Sequence, residues 1–170
     1  EPPIQRSLTF EIDERTGADG SVLTDPTDAD LDALAASLQS ADVESVAICL
    51  LNSYVNASNE RRIADHLRAS LGVPVCISAE ISPQIREYPR MITTACNAAT
   101  MPVIGPYLDE LQKWLAAEGF GGSVLMMLSN GGVVSADDAA SGPIRLVESG
   151  PAAGALAGSW FANQLPARAP

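Results

Sequence analysis

The sequence predicts an α/β fold built on a mixed or parallel sheet with crossover helices, and three observations predict it. Residues 43–51 form an apolar run broken only by Glu44 and Ser45, the pattern of a strand buried on both faces. Ile63, Leu67 and Leu71 then recur at helical spacing, and Gly72 stops that helix. Residues 73–77, Val-Pro-Val-Cys-Ile, give a second short apolar strand. Strand, helix and strand in that order supply the crossover that parallel pairing requires.

The remaining elements follow in chain order. Residues 8–13 alternate apolar and polar, the period of a half-buried strand. Residues 15–20 read as a turn and residues 21–23 as the returning strand of a hairpin. Leu31, Leu34, Ala35 and Leu38 mark a helix whose N-terminal dipole is complemented by Asp28, Asp30 and Asp32. Ser58 or Asn59 is the expected cap of the next helix. Residues 78–101 show no clean period. From Pro102 a longer helix carries Ile104, Leu108, Leu111 and Leu115 on one face and ends at Gly119, with Pro106 in its first turns. Residues 123–128 read as a strand, residues 129–132 as a turn, and a last helix starts at Pro151. The expected boundary separates residues 1–85 from residues 86–170.

Ten basic and 21 acidic side chains leave a net charge of −11, of which −9 falls in residues 1–44 (11 acids, two bases). Lys113 is the single lysine. That balance argues against nucleic-acid and anionic-membrane partners, since phosphate binding depends on Lys and Arg. The acidic excess reads as a solvated face, and Asp25, Asp28, Asp30 and Asp32 lack the glycine and closing glutamate of a calcium loop. No metal site is expected. Cys49, Cys76 and Cys96 form no Cys-x-x-Cys pair; the first two read as buried strand thiols, which points to a reducing, cytoplasmic setting. No apolar run approaches the ~20 residues of a membrane span. The terminal stretches read as cut ends of a longer chain.

Several short motifs could carry chemistry. Gly150, Gly154 and Gly158 share one helical face, which reads either as close helix packing or, at Ser149-Gly150, as backbone N–H groups open to a phosphate. Asn130-Gly131-Gly132 follows a strand end, where ligands of open α/β sheets gather. Glu80, Arg86, Glu87 and Arg90 form a charge cluster, read first as a structural ion-pair network and second as a substrate-facing group. Cys96 and His66 read as an inert thiol and a surface histidine rather than a nucleophile and its base.

Read together, six segments resemble the hydantoinase A / 5-oxoprolinase family. They are Leu50-Leu51-Asn52-Ser53-Tyr54-Val55-Asn56 before Glu60-Arg61-Arg62, Ser78-Ala79-Glu80-Ile81-Ser82-Pro83, Arg86-Glu87-Tyr88-Pro89-Arg90, Thr93-Thr94-Ala95-Cys96-Asn97-Ala98, Met127-Leu128-Ser129-Asn130-Gly131-Gly132, and Glu148-Ser149-Gly150-Pro151-Ala152-Ala153-Gly154. The resemblance runs from about residue 7 to 164. It implies a fragment of an actin-like ATPase (ribonuclease H-like) fold that binds ATP and a divalent cation such as Mg between two lobes. It also implies an ATP-dependent hydrolase opening a hydantoin or 5-oxoproline ring, partnered by a hydantoinase B-type subunit or domain. The related ketone carboxylases are the alternative, and a non-catalytic α/β interaction domain is a second.

The family's Asp-x-Gly-Gly-Thr phosphate loops do not occur in these 170 residues, so the fragment itself is expected to bind no cofactor and to be inactive. On the same resemblance, residues 150–164 are the helix connecting the lobes. Arg90, Thr93, Thr94, Asn97, Asn130 and Gly131, with Ser149, Gly150 and Gly154, become the cleft candidates; no catalytic residue is assigned. Lobe-facing surfaces around residues 150–160 are expected to be exposed and apolar, and able to drive dimerisation.

Overall fold

The computed structural model describes residues 4–164; the two terminal stretches that read as cut ends lie largely outside them. The chain divides into two compact units, with the boundary between Pro102 and Val103.

The first unit is organised by a strand–helix–strand motif. β3 (Val46–Ile48) pairs in parallel with β4 (Val75–Ile77), in the register Val46↔Val75, Ala47↔Cys76 and Ile48↔Ile77. α2 (Ser58–Leu71) makes the crossover between them. α1 (Asp28–Ser40) contributes Leu31, Ala35 and Leu38 to the core that Val46, Ile48, Ile63, Ala64, Leu67, Val75 and Ile77 complete. A capping box starts α1: the Thr27 hydroxyl accepts from the Asp30 N–H at 3.2 Å, and the Asp30 carboxylate accepts from the Thr27 N–H at 2.9 Å. Gly72, at φ 67, ends α2 in the left-handed conformation that glycine adopts without strain.

Four sequence expectations change here. Residues 8–13 are not a ladder strand. The hairpin instead pairs β1 (Arg15–Thr16) with β2 (Val22–Thr24). Phe10 and Ile12 still pack on the core, which accounts for the alternation, but residues 10–13 find no backbone partner among the described residues. Ala57, not Ser58 or Asn59, is the N-cap of α2, and the Asn56 side chain accepts from the Ser58 N–H at 3.0 Å. Cys49 lies just beyond β3 and is half-buried, whereas Cys76 is a buried β4 residue as read; all three cysteines are free.

The fourth change is the largest. The segment with no clean period holds α3 (Ser78–Ile81) and the opening of α4 (Glu87–Ala117), a 31-residue helix that starts 15 residues before Pro102. An interior proline costs about 3 kcal/mol, so a propensity reading places a helix start there. Packing overrides it. Arg90, Thr94, Asn97 and Ala98 recur at i, i+4, i+7 and i+8 and are all buried, but three of the four are polar, which hides the helical period.

In the second unit, β5 (Leu125–Met127) and β6 (Val133–Ser135) form an antiparallel hairpin across the turn read at residues 129–132. α5 (Ala136–Ser141) begins under a Ser135 cap that accepts from the Asp138 N–H at 3.1 Å. A 3-10 turn (Pro143–Leu146) leads to α6 (Ser149–Gln164), which starts two residues before the expected Pro151. No described helix is long and apolar enough to cross a membrane.

Candidate functional site

The sequence-derived candidates fall into two groups, one in each unit. Arg90, Thr93, Thr94 and Asn97 occupy the first turns of α4. Arg90, Thr94 and Asn97 are fully buried and internally bonded, whereas Thr93 is half-buried. Thr93 and Thr94 donate their hydroxyls back to the carbonyls of Pro89 (2.9 Å) and Arg90 (2.7 Å). Asn97 hydrogen-bonds the Cys76 thiol, whose Sγ also lies 3.6 Å from the Thr94 carbonyl. Burial pushes the Cys76 thiol up, so it is a neutral packing group rather than a nucleophile.

Arg90 does not join the expected ion-pair network. No ion pair among the described residues involves Arg86, Glu87 or Arg90. Instead Arg90 Nη2 donates to the Leu50 carbonyl at 2.6 Å and Nη1 to the Gln84 carbonyl at 3.5 Å, with the guanidinium 5.4 Å from the centre of the Tyr54 ring. His66 Nε2 faces Asp32 at 3.2 Å, a pair across the α1–α2 seam.

Glu60 is the residue whose role the sequence analysis missed. It is fully buried on α2, and its carboxylate accepts from the Leu50 N–H (2.8 Å), the Ser78 hydroxyl (2.6 Å) and the Ala79 N–H (2.9 Å). Ser53 meets Ser78 at 3.1 Å. A signal for it existed. Glu60 precedes Ile63, Ala64 and Leu67 at i, i+3, i+4 and i+7, so a carboxylate stands on the apolar stripe. Asn52 and Asn56 tie the same loop to the hairpin, donating to the carbonyls of Thr16 (2.9 Å) and Gly20 (2.8 Å). The motif of residues 50–56 is therefore a junction at the C-terminal ends of β3 and β4, the side on which open α/β sheets hold ligands.

The second group lies on the β5–β6 turn and on α6. Gly131 takes φ 84 in that turn, and the Asn130 side chain accepts from the Gly132 N–H at 2.9 Å. A Cβ on Gly131 would come within 2.9 Å of a Leu156 methyl, so glycine there admits α6 against the turn. Asn130 and Gly131 are thus brought beside the helix that carries Ser149, Gly150 and Gly154. That helix buries no residue, and a Cβ added at Gly150, Gly154 or Gly158 would meet nothing within 4 Å. The glycine face is open, and Leu156, Trp160 and Phe161 are about half or more exposed (49%, 59% and 63%).

The guanidinium of Arg90 is committed to backbone carbonyls, Glu148 precedes the open end of α6, and no Asp-x-Gly-Gly-Thr is present. Among the described residues no group of three or more His, Cys, Asp or Glu side chains could hold a metal ion.

Comparison with known proteins places the chain. Residues 1–71 match the hydantoinase/oxoprolinase N-terminal region and residues 90–167 match hydantoinase/oxoprolinase, in that order. An uncharacterized protein of Methanocaldococcus jannaschii is 34% identical over 96% of this chain and 24% of its own length. The caprolactamase subunit alpha of Pseudomonas jessenii is 33% identical over 94% of this chain and 23% of its own. The nucleotide-free structure of acetone carboxylase, from work on ATP-dependent acetone carboxylation, superposes with a TM-score of 0.82 at 28% identity, over 96% of this chain and 23% of that one. The chain spans about a quarter of the length of these relatives. With both matches of one family in register along it, this chain belongs to the hydantoinase/oxoprolinase family.

Proposed function

We propose that this chain is an internal segment of an ATP-dependent cyclic-amide hydrolase, of the type that opens a hydantoin or 5-oxoproline ring, and that it is inactive alone. The observation that carries the reading is the pair of family matches over residues 1–71 and 90–167, together with 33% identity to a caprolactamase subunit alpha. On this reading residues 1–85 end the N-terminal region and residues 86–170 begin the catalytic lobe of an actin-like ATPase (ribonuclease H-like) fold. ATP and a divalent cation are held by phosphate loops outside these residues, and residues 150–164 connect the lobes. The uncharged, open face of α6 supports that placement. Asn130, Gly131, Ser149, Gly150 and Gly154 in the second unit, and the α4 residues Arg90, Thr93, Thr94 and Asn97 in the first, are the cleft candidates on this reading. A hydantoinase B-type subunit is the expected partner, which fits relatives that are themselves subunits. A dimer through the exposed lobe-facing surfaces is the expected state of the fragment alone. Free cysteines fit a cytoplasmic enzyme.

A second reading, an ATP-dependent ketone carboxylase subunit, is favoured by the similarity to acetone carboxylase. The two are separated by ADP release from the longer polypeptide with ATP and magnesium. Stimulation by hydantoins, 5-oxoproline or caprolactam supports the hydrolase. Stimulation only by ketones with bicarbonate supports the carboxylase, and stimulation by neither contradicts both.

A further inference from the structure

We propose that Glu60 and Arg90, two buried charges that do not touch, act as one unit through Leu50, and that Glu60 is the positioning residue for the first turns of α4. Both side chains are fully buried, and no ion pair within 4.0 Å joins them among the described residues. Each grips the opposite side of the same residue. The Leu50 N–H donates to Glu60 Oε1 at 2.8 Å, and the Leu50 carbonyl accepts from Arg90 Nη2 at 2.6 Å.

A buried charge without a counter-ion is costly, and each of these is met by one of the two adjacent peptide groups that join at the Leu50 Cα, so displacing Leu50 from one charge moves it from the other. The sign is favourable at both ends: the N–H points at the anion and the carbonyl at the cation. Arg90 Nε has no partner among the described residues, so the guanidinium is held by this short bond, by the longer one to the Gln84 carbonyl and by its packing on Tyr54. Removing the negative end therefore loosens the positive end. The same Glu60 carboxylate takes the Ser78 hydroxyl and the Ala79 N–H, so it fixes the loop after β3 and the start of α3 together. Glu60 thus ties α2, α3 and α4 into one edge.

The test has two arms, and only the second rests on the proposed function. In the 170-residue chain, Arg90→Met is expected to speed hydrogen exchange at the Leu50 amide, although the bond it deletes is to the Leu50 carbonyl. Arg90→Lys restores part of the protection. The urea midpoint of Glu60→Gln with Arg90→Met falls by clearly less than the sum of the two single shifts. Additive midpoints with unchanged Leu50 exchange overturn the coupling. Should Arg90→Met not fold, Arg90→Lys and Arg90→Gln carry the same cycle.

In the longer enzyme, Glu60→Gln is expected to lower kcat for substrate-stimulated ATP hydrolysis several-fold with KM for ATP unchanged, and Glu60→Asp to recover part of it. Coupling in the chain with no change in kcat overturns the positioning role. A longer protein that hydrolyses no ATP at all overturns the proposed function, and the coupling is then decided by the first arm.

Discussion

Two helices of similar length, α2 with 14 residues and α6 with 16, show how differently the two units are finished. α2 buries Asn59, Glu60, Ile63, Ala64 and Leu67 and turns Arg61, Arg62, Asp65 and Arg68 to solvent. α6 carries no charged residue and buries nothing. A helix apolar all round has the composition of a covered helix, yet α6 has the exposure of an uncovered one. The contrast extends to the units. Among the described residues, eight large apolar side chains are exposed up to Pro102 and ten in the much shorter stretch from Val103 onward. The first unit closes around its own core. The second presents an apolar surface, which on the proposed function is where the rest of the enzyme packs.

The largest expected effect probes the finished side. Leu67 is fully buried, so Leu67→Ala should cost about 2–5 kcal/mol by urea unfolding, whereas Leu156→Ala on α6 should cost less than about 1 kcal/mol. Equal losses would break the comparison.

The next probes the open glycine face. Because a Cβ at position 154 meets nothing, Gly154→Ala should raise the helicity of α6 in this chain by the equivalent of about 1 kcal/mol, read as slower amide exchange along the helix. In the longer protein the same change is expected to lower stability, since the face is then covered. A gain in both would argue that nothing packs there.

A smaller effect sharpens the account of α1. Thr27→Ala should cost about 1 kcal/mol through loss of the capping box. The Thr27 hydroxyl and N–H hold the Asp30 carboxyl below the usual carboxylate range. Its contribution is therefore present above about pH 3.9 and is lost as the pH falls through the lowered native value. Asp30→Asn should shrink the difference in Tm between pH 6 and pH 3; an unchanged difference would remove this carboxylate from the acid sensitivity.

How much of this was legible in the sequence depends on who supplies the period. The β3–α2–β4 unit and α1 were readable because Leu31, Leu38, Ile63, Leu67 and Val75 are apolar at the spacings their elements require. The opening of α4 was not, because Arg90, Thr94 and Asn97 hold its buried face by hydrogen bonds. The hairpin strand was misplaced because Phe10 and Ile12 alternate against the core without a ladder partner among the described residues. Glu60 was legible only as part of the Glu60-Arg61-Arg62 string; its role was not, because its partners lie 10, 18 and 19 residues away, at Leu50, Ser78 and Ala79. The family motifs themselves were readable as strings; that residues 50–56 form a junction between elements required coordinates.

The claim that this chain is part of an ATP-dependent enzyme, without a nucleotide site of its own, is tested most directly by one calorimetric titration. ATP with magnesium is added to the 170-residue chain and, in parallel, to the longer polypeptide that contains it. No binding heat is expected from the chain, and saturable binding from the longer protein. Micromolar affinity in the chain alone, or no binding by the longer protein, would contradict it.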